Sequence, residues 1–114
     1  MIDVTVRDEV ALITLARPAK LNALTAPMRR DLAAAVREHG RSGRGIVVTG
    51  TGRAFSAGED IDQAVGRSLI EEVELFHDMT RAVLETRVPV VAAVNGLAVG
   101  GAAEIGRASC RERV

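Results

Sequence analysis

"VVAAVNGLAVGGAAEIGRASCRERV" (Val90–Val114) changes character halfway along. Val90 to Gly96 is a short apolar run of the buried-strand type, and the glycines that follow read as a tight turn feeding a helix. An earlier stretch, "VVTGTGRAFSAGED" (Val47–Asp60), echoes it. Both place glycines just past the carboxyl end of a buried strand, where ligands bind in open α/β sheets.

Working outward, Ile2, Val4 and Val6 alternate with polar residues, and Val10, Leu12 and Thr14 follow after Asp8-Glu9. That pattern predicts a hairpin with a tight acidic turn. "ARPAKLNALT" (Ala16–Thr25) then reads as a loop, with Thr25 as a helix N-cap and Pro27 in the first turn. Leu24, Met28, Leu32, Ala35 and Val36 recur at helical spacing until Gly40 and Gly43. "GIVVTG" (Gly45–Gly50) predicts a buried strand. Leu69, Val73, Phe76, Thr80 and Val83 mark the apolar face of a second helix that stops before Pro89. The order is β-β-α-β-loop-α-β, which argues for an α/β fold with a largely parallel sheet.

Composition narrows the function. A chain of 114 residues has room for one small domain, and 47% apolar residues with 2% aromatics imply a core of Val, Leu, Ile and Ala. Fifteen basic and fifteen acidic side chains balance, so no global field favours nucleic acid or a membrane surface as partner. No apolar run reaches the ~20 residues that span a bilayer. The single cysteine leans towards a reducing, cytoplasmic setting. His39 and His77 sit on predicted helices without a metal or triad pattern and are expected to face solvent; no metal site is expected.

The chemistry lies in the two glycine turns. Glycine lets the backbone approach a ligand and aim N–H groups at it, and a helix starting there favours developing negative charge. Two such turns converging would make an oxyanion hole for a carbonyl that becomes an enolate. The plainer alternative is that each glycine serves its own turn.

"RPAKLNALT", "GRAFSAGEDI" and "AAVNGLAVGGAAE" together, in order and approximate spacing, resemble the motifs of the enoyl-CoA hydratase/isomerase (crotonase) superfamily. The resemblance covers Val4 to about Ala103. It implies a crotonase-like spiral of β-β-α units, here incomplete because the carboxyl-terminal half is missing, acting on an acyl-CoA thioester. It implies one oxyanion N–H at Glu59, where relatives more often carry a small residue, and a second at Gly101. Glu104 takes the place of the acid/base carboxylate; three helical steps from Gly101 bring it near the same face. Its plainer role is to complement a helix N-terminus. Ala57, Gly58, Asp60 and Ile61 match the segment lining the thioester and pantetheine. Lys20 and Leu21 lie in the loop used against the nucleotide end of CoA, with a solvated side chain the alternative for Lys20, and Asn22 is expected to order that loop. No separate cofactor is implied, coenzyme A being part of the substrate, and the parent is expected to be a homo-oligomer, a trimer or hexamer. Hydration of a 2-enoyl-CoA is the leading reaction, with double-bond isomerisation the alternative. A second glutamate used by such hydratases would fall past the end of this chain.

In similar proteins the glycine turn continues into an apolar helix, whereas here "IGRASCRERV" (Ile105–Val114) follows. That string resembles translated adapter sequence or a frameshift. The expected division is therefore residues 1–104 as the amino-terminal part of a crotonase-like domain and 105–114 as a non-native tail, with Glu104 itself at the junction. An inactive fragment is one competing reading. Another is a dinucleotide-binding module built on "GTGRAF", against which stands Phe55 where that fingerprint wants Gly or Ala.

Overall fold

The computed structural model describes residues 1–60, 66–100, 103 and 105. Strands β1 (Ile2–Arg7) and β2 (Val10–Leu15) form the expected hairpin. Asp8 and Glu9 both take positive φ, 52° and 66°, which matches the right-handed twist of the strands they join. After a 3-10 turn (Pro18–Lys20) comes α1 (Ala26–His39), capped by the Thr25 hydroxyl, which accepts from the Met28 N–H at 3.2 Å. Strand β3 (Gly45–Gly50) follows, then β4 (Ala54–Ser56), α2 (Leu69–Leu84), β5 (Val90–Ala93) and β6 (Leu97–Ala98). The Ser68 hydroxyl caps α2 by accepting from the Glu71 N–H at 3.2 Å.

The order is thus β-β-α, β-β-α, β-β: a repeated unit. The first strands of the second and third units join the hairpin in one sheet, ordered β1-β2-β3-β5, antiparallel at the hairpin and parallel beyond it. Their second strands, β4 and β6, pair parallel in a separate small sheet. Neither β4 nor β6 is legible as a strand in sequence, because each is two or three residues long.

Three sequence expectations are corrected by the packing. On β2 the buried residues are Ala11, Ile13 and Leu15, not Val10, Leu12 and Thr14. Sheet β3 and β5 bury one face rather than both: Ile46 and Val48 are buried while Val47 between them is half-exposed. On α2 the core face is Glu72, Met79, Ala82 and Val83, with Phe76 partly buried against it; Leu69 and Val73 are exposed. Helix α1 lies against α2 and meets it through two ion pairs, Arg29–Glu72 and Arg37–Asp78, both 2.7 Å. The first of them gives the charged Glu72 a partner in its buried position on α2. The core is then Ile13, Leu15, Ile46 and Val48 of the sheet with Met28, Leu32 and Val36 of α1, joined by Met79 and Val83 of α2 and by Phe55 and Ile105.

Candidate active site

The segment after β4 is fastened residue by residue to the loop before α1. The N–H of Ala57 donates to the Leu21 carbonyl at 2.9 Å, and Leu24 N–H donates to the Gly58 carbonyl at 2.6 Å. The Gly58 N–H is taken by the Ser56 hydroxyl at 3.1 Å, and Asp60 N–H donates to the Leu24 carbonyl at 3.0 Å. Of four consecutive amides, three are spent. Glu59 pairs with Leu24 as a parallel bridge, a geometry in which its own N–H points away from the partner. Among the described residues, nothing accepts a hydrogen bond from it.

The second glycine turn arrives beside it through the β4–β6 pairing. Val99 N–H donates to the Ser56 carbonyl at 3.1 Å. A Cβ on Gly58, whose φ is +89°, would stand 2.8 Å from the Val99 carbonyl oxygen, closer than side chains are found. The two turns therefore touch, and glycine is required at Gly58 on both counts. The Gly100 carbonyl accepts from the Ala103 N–H at 3.0 Å.

Glu59 and Gly100 form one side of an open cavity of about 830 Å³. Its other wall is one face of α2: Phe76, His77, Thr80, Arg81, Leu84 and Glu85. That size suits a small acyl group with part of its carrier. An unclaimed N–H at the rim of such a cavity can hold a carbonyl oxygen.

The residues singled out in sequence fall as follows. Leu21, Ala57, Gly58, Glu59 and Asp60 are brought together by the hydrogen-bonded zipper. Lys20 ends the 3-10 turn with an exposed side chain. The Asp60 carboxylate is buried and accepts from Arg17 at 2.6 Å, which ties it to the loop before α1. Ile61, Gly101 and Glu104 lie outside the described residues. His77 is exposed, as expected, but it lines the cavity; His39 is half-buried. The dinucleotide reading is overturned, since that fingerprint needs a helix after its glycines and "GTGRAF" runs into β4 instead. No helix among the described residues is long and apolar enough to cross a membrane.

Sequence reasoning missed two positions. Asn95 Oδ1 accepts from Gly50 N–H at 3.2 Å, and its Nδ2 donates to the carbonyls of Gly52 and Ala54 at 2.8 and 3.1 Å. Ser56, wholly buried, donates from its hydroxyl to the Asn22 carbonyl at 2.7 Å. The signal available was an Asn before a glycine and a Ser before Ala-Gly, both common in ordinary turns.

Comparison with known proteins identifies the family and the fold. Residues 5–109 match the family model described as enoyl-CoA hydratase/isomerase. A Rhodobacter capsulatus protein described as "Probable enoyl-CoA hydratase" is 39% identical over 112 residues, covering 92% of this chain and 44% of that protein. An enoyl-CoA hydratase from Mycobacterium avium subsp. paratuberculosis superposes with a TM-score of 0.85 at 32% identity, over 95% of this chain and 44% of its own. One from Bacillus anthracis does so with a TM-score of 0.84 at 26% identity, over 95% and 45%. The chain spans less than half the length of each of these relatives.

Proposed function

The chain belongs to the enoyl-CoA hydratase/isomerase family, and from that premise we propose that it supplies the oxyanion-binding half of an enzyme acting on 2-enoyl-CoA thioesters. The observation that carries this reading is the Glu59 amide, the one of the four from Ala57 to Asp60 that finds no acceptor among the described residues, at the rim of the cavity shared with Gly100. Its N–H, with that of Gly101, would receive the thioester carbonyl oxygen. As charge moves onto that oxygen, the β-carbon becomes electrophilic and the α-carbon able to take a proton. Water then adds, its oxygen bonding to the β-carbon while the π pair moves to the α-carbon and is protonated there. A carboxylate at position 104 would orient the water or move the proton. The reading asks for no cofactor beyond the coenzyme A of the substrate.

In the whole enzyme, this chain continued over the length its relatives have beyond it, Lys20 and Leu21 would meet the nucleotide end of CoA. Ala57 and Ile61 would flank the thioester and pantetheine. A homotrimer or hexamer is expected, in the cytoplasm. The test begins with source DNA read past codon 104, which also decides whether Glu104 is native and whether residues 105–114 belong. The enzyme so obtained is offered short and medium 2-enoyl-CoA and 3-enoyl-CoA, and the enoyl absorbance is followed. Loss of it with the 2-enoyl substrate is the expected result; a gain of it from the 3-enoyl substrate alone would favour isomerisation. Flat traces with CoA still bound would reject both.

A further inference from the structure

The same backbone carbonyl, that of Ala54, is held from both sides. Asn22 Nδ2 donates to it at 2.9 Å and Asn95 Nδ2 at 3.1 Å, one from the loop before α1 and one from the turn before β6. Asn22 is wholly buried and its carboxamide is fully used: Nδ2 also donates to the Thr51 carbonyl at 3.0 Å, and Oδ1 accepts from Arg17 N–H at 2.8 Å. Leu21 and Asn22 both take left-handed φ, 51° and 56°, a costly conformation for leucine and one that asparagine adopts more readily. Those two residues are the ones whose carbonyls receive Ala57 N–H and the Ser56 hydroxyl. The Ser56 oxygen in turn holds Gly58 N–H. The Ser56–Gly58 segment that leads into the Glu59 amide is therefore tied to Leu21 and Asn22, while the bridge with Leu24 turns that amide outward.

We propose that Asn22, acting with Asn95 through the Ala54 carbonyl, is a positioning residue that aims the Glu59 N–H at the substrate carbonyl. This rests on the oxyanion reading above. It differs from a mere loop-ordering role in its kinetic consequence. A misaimed donor loses transition-state stabilisation, whereas a loosened CoA loop loses binding.

The informative variant is Asn22→Asp in the whole enzyme, equal in shape but with an acceptor where the donor was. Its carboxylate would face the carbonyl oxygens of Thr51 and Ala54, which favours the protonated form and raises its pKa. Arg17 and Asp60, the charged groups nearby, are paired with each other. The expected result is a kcat lowered about tenfold or more with KM for a 2-enoyl-CoA within about threefold. The ratio of variant to wild-type kcat should climb as the pH is lowered, because the protonated acid can again donate to Ala54. Asn95→Asp, at a solvent-exposed residue, should show the same pattern more weakly, and it serves where Asn22→Asp does not fold. Hydrogen exchange at the Ala57 and Gly58 amides should quicken in either variant, with or without catalysis. A raised KM at unchanged kcat, or unchanged exchange at those amides, overturns the proposal. An inactive wild-type enzyme with quickened exchange in the variants would instead remove the hydratase reading and leave the positioning network standing.

Discussion

Gly58 and Gly100 meet backbone to backbone: a Cβ on Gly100 would lie 3.7 Å from the Cα of Gly58, an ordinary contact and the nearest among the described residues. The relation is not symmetric. A Cβ on Gly58 would press to 2.8 Å on a carbonyl oxygen, and at φ +89°, outside the usual left-handed basin, it would be strained in any case. Gly58→Ala should therefore force the two turns apart, while Gly100→Ala, at φ +60°, should cost only about 1–2 kcal/mol of backbone strain. Activity and thermal unfolding of both variants check the order. Equal effects would mean that the turns do not bear on each other as closely as described.

The oxyanion assignment predicts opposite outcomes at two positions. Because Glu59 would act through its main chain, Glu59→Ala should change kcat by less than about threefold, with any larger effect confined to which acyl groups are accepted. Gly101→Pro removes a donor outright and should lower turnover about a hundredfold, given the ~3 kcal/mol such a donor supplies. Steady-state kinetics on both, with circular dichroism to establish that each is folded, decide it. Near-normal turnover in a folded Gly101→Pro enzyme would end the assignment.

Much of this was legible because the informative features are local. The acidic hairpin turn, the Thr25 cap, the Gly45–Gly50 strand and the glycine turns each have a short-range cause. The phase of α2 was not legible. Leu69 and Val73 look like a core face, yet both are exposed, and Glu72, paired with Arg29 43 residues away, is buried instead. Strands β4 and β6 were hidden for a related reason: they exist by pairing with each other. Glu59 was placed by resemblance, but why its amide is left over appears only once Ser56 and Leu24 are seen to take those of Gly58 and Asp60.

The buried ion cluster predicts an asymmetry of its own. Glu72 is shared between Arg29 and Arg67, and Arg29, stacked 5.0 Å from the Phe76 ring, leaves Nε and Nη2 without acceptors among the described residues. Replacing Arg29 with Met removes two unsatisfied donors while Glu72 keeps Arg67. The change should be within about 1 kcal/mol of neutral. Glu72→Gln strands a buried guanidinium and should cost about 3 kcal/mol. Denaturant titration of both variants tests this, and the reverse order would refute it.

The same cluster sets a pH dependence. The hydrogen bond from Arg29, supported by Arg67, holds the Glu72 carboxyl below its ordinary value of 4.5 despite the opposing effect of burial. A carboxyl depressed in the folded state contributes stability that is present above that ordinary value and is lost as the pH falls through the folded one. The penalty of Glu72→Gln should accordingly be full at neutral pH and shrink in acid, where the wild-type carboxyl is protonated too. Melting temperatures of the two proteins, measured down through the carboxylate range, should converge; parallel curves would show that Glu72 is not the group responsible.

The last expectation concerns the 114-residue chain by itself. Leu69 is 80% exposed and Ile70 71%, and Val94 and Leu97 are each about half exposed, a large apolar surface for so small a domain. Strand β5 has a partner in β3 on one side, and no described strand on the other. An unpaired edge beside exposed valine and leucine is a template for another chain. Purified alone, the chain should self-associate, eluting above its 12.0 kDa mass and binding a hydrophobic dye. Val94→Lys and Leu97→Lys together should reduce that association by placing charge along the open side. A monomer at high concentration with a sharp cooperative melt would show that these surfaces are tolerated in water as they stand.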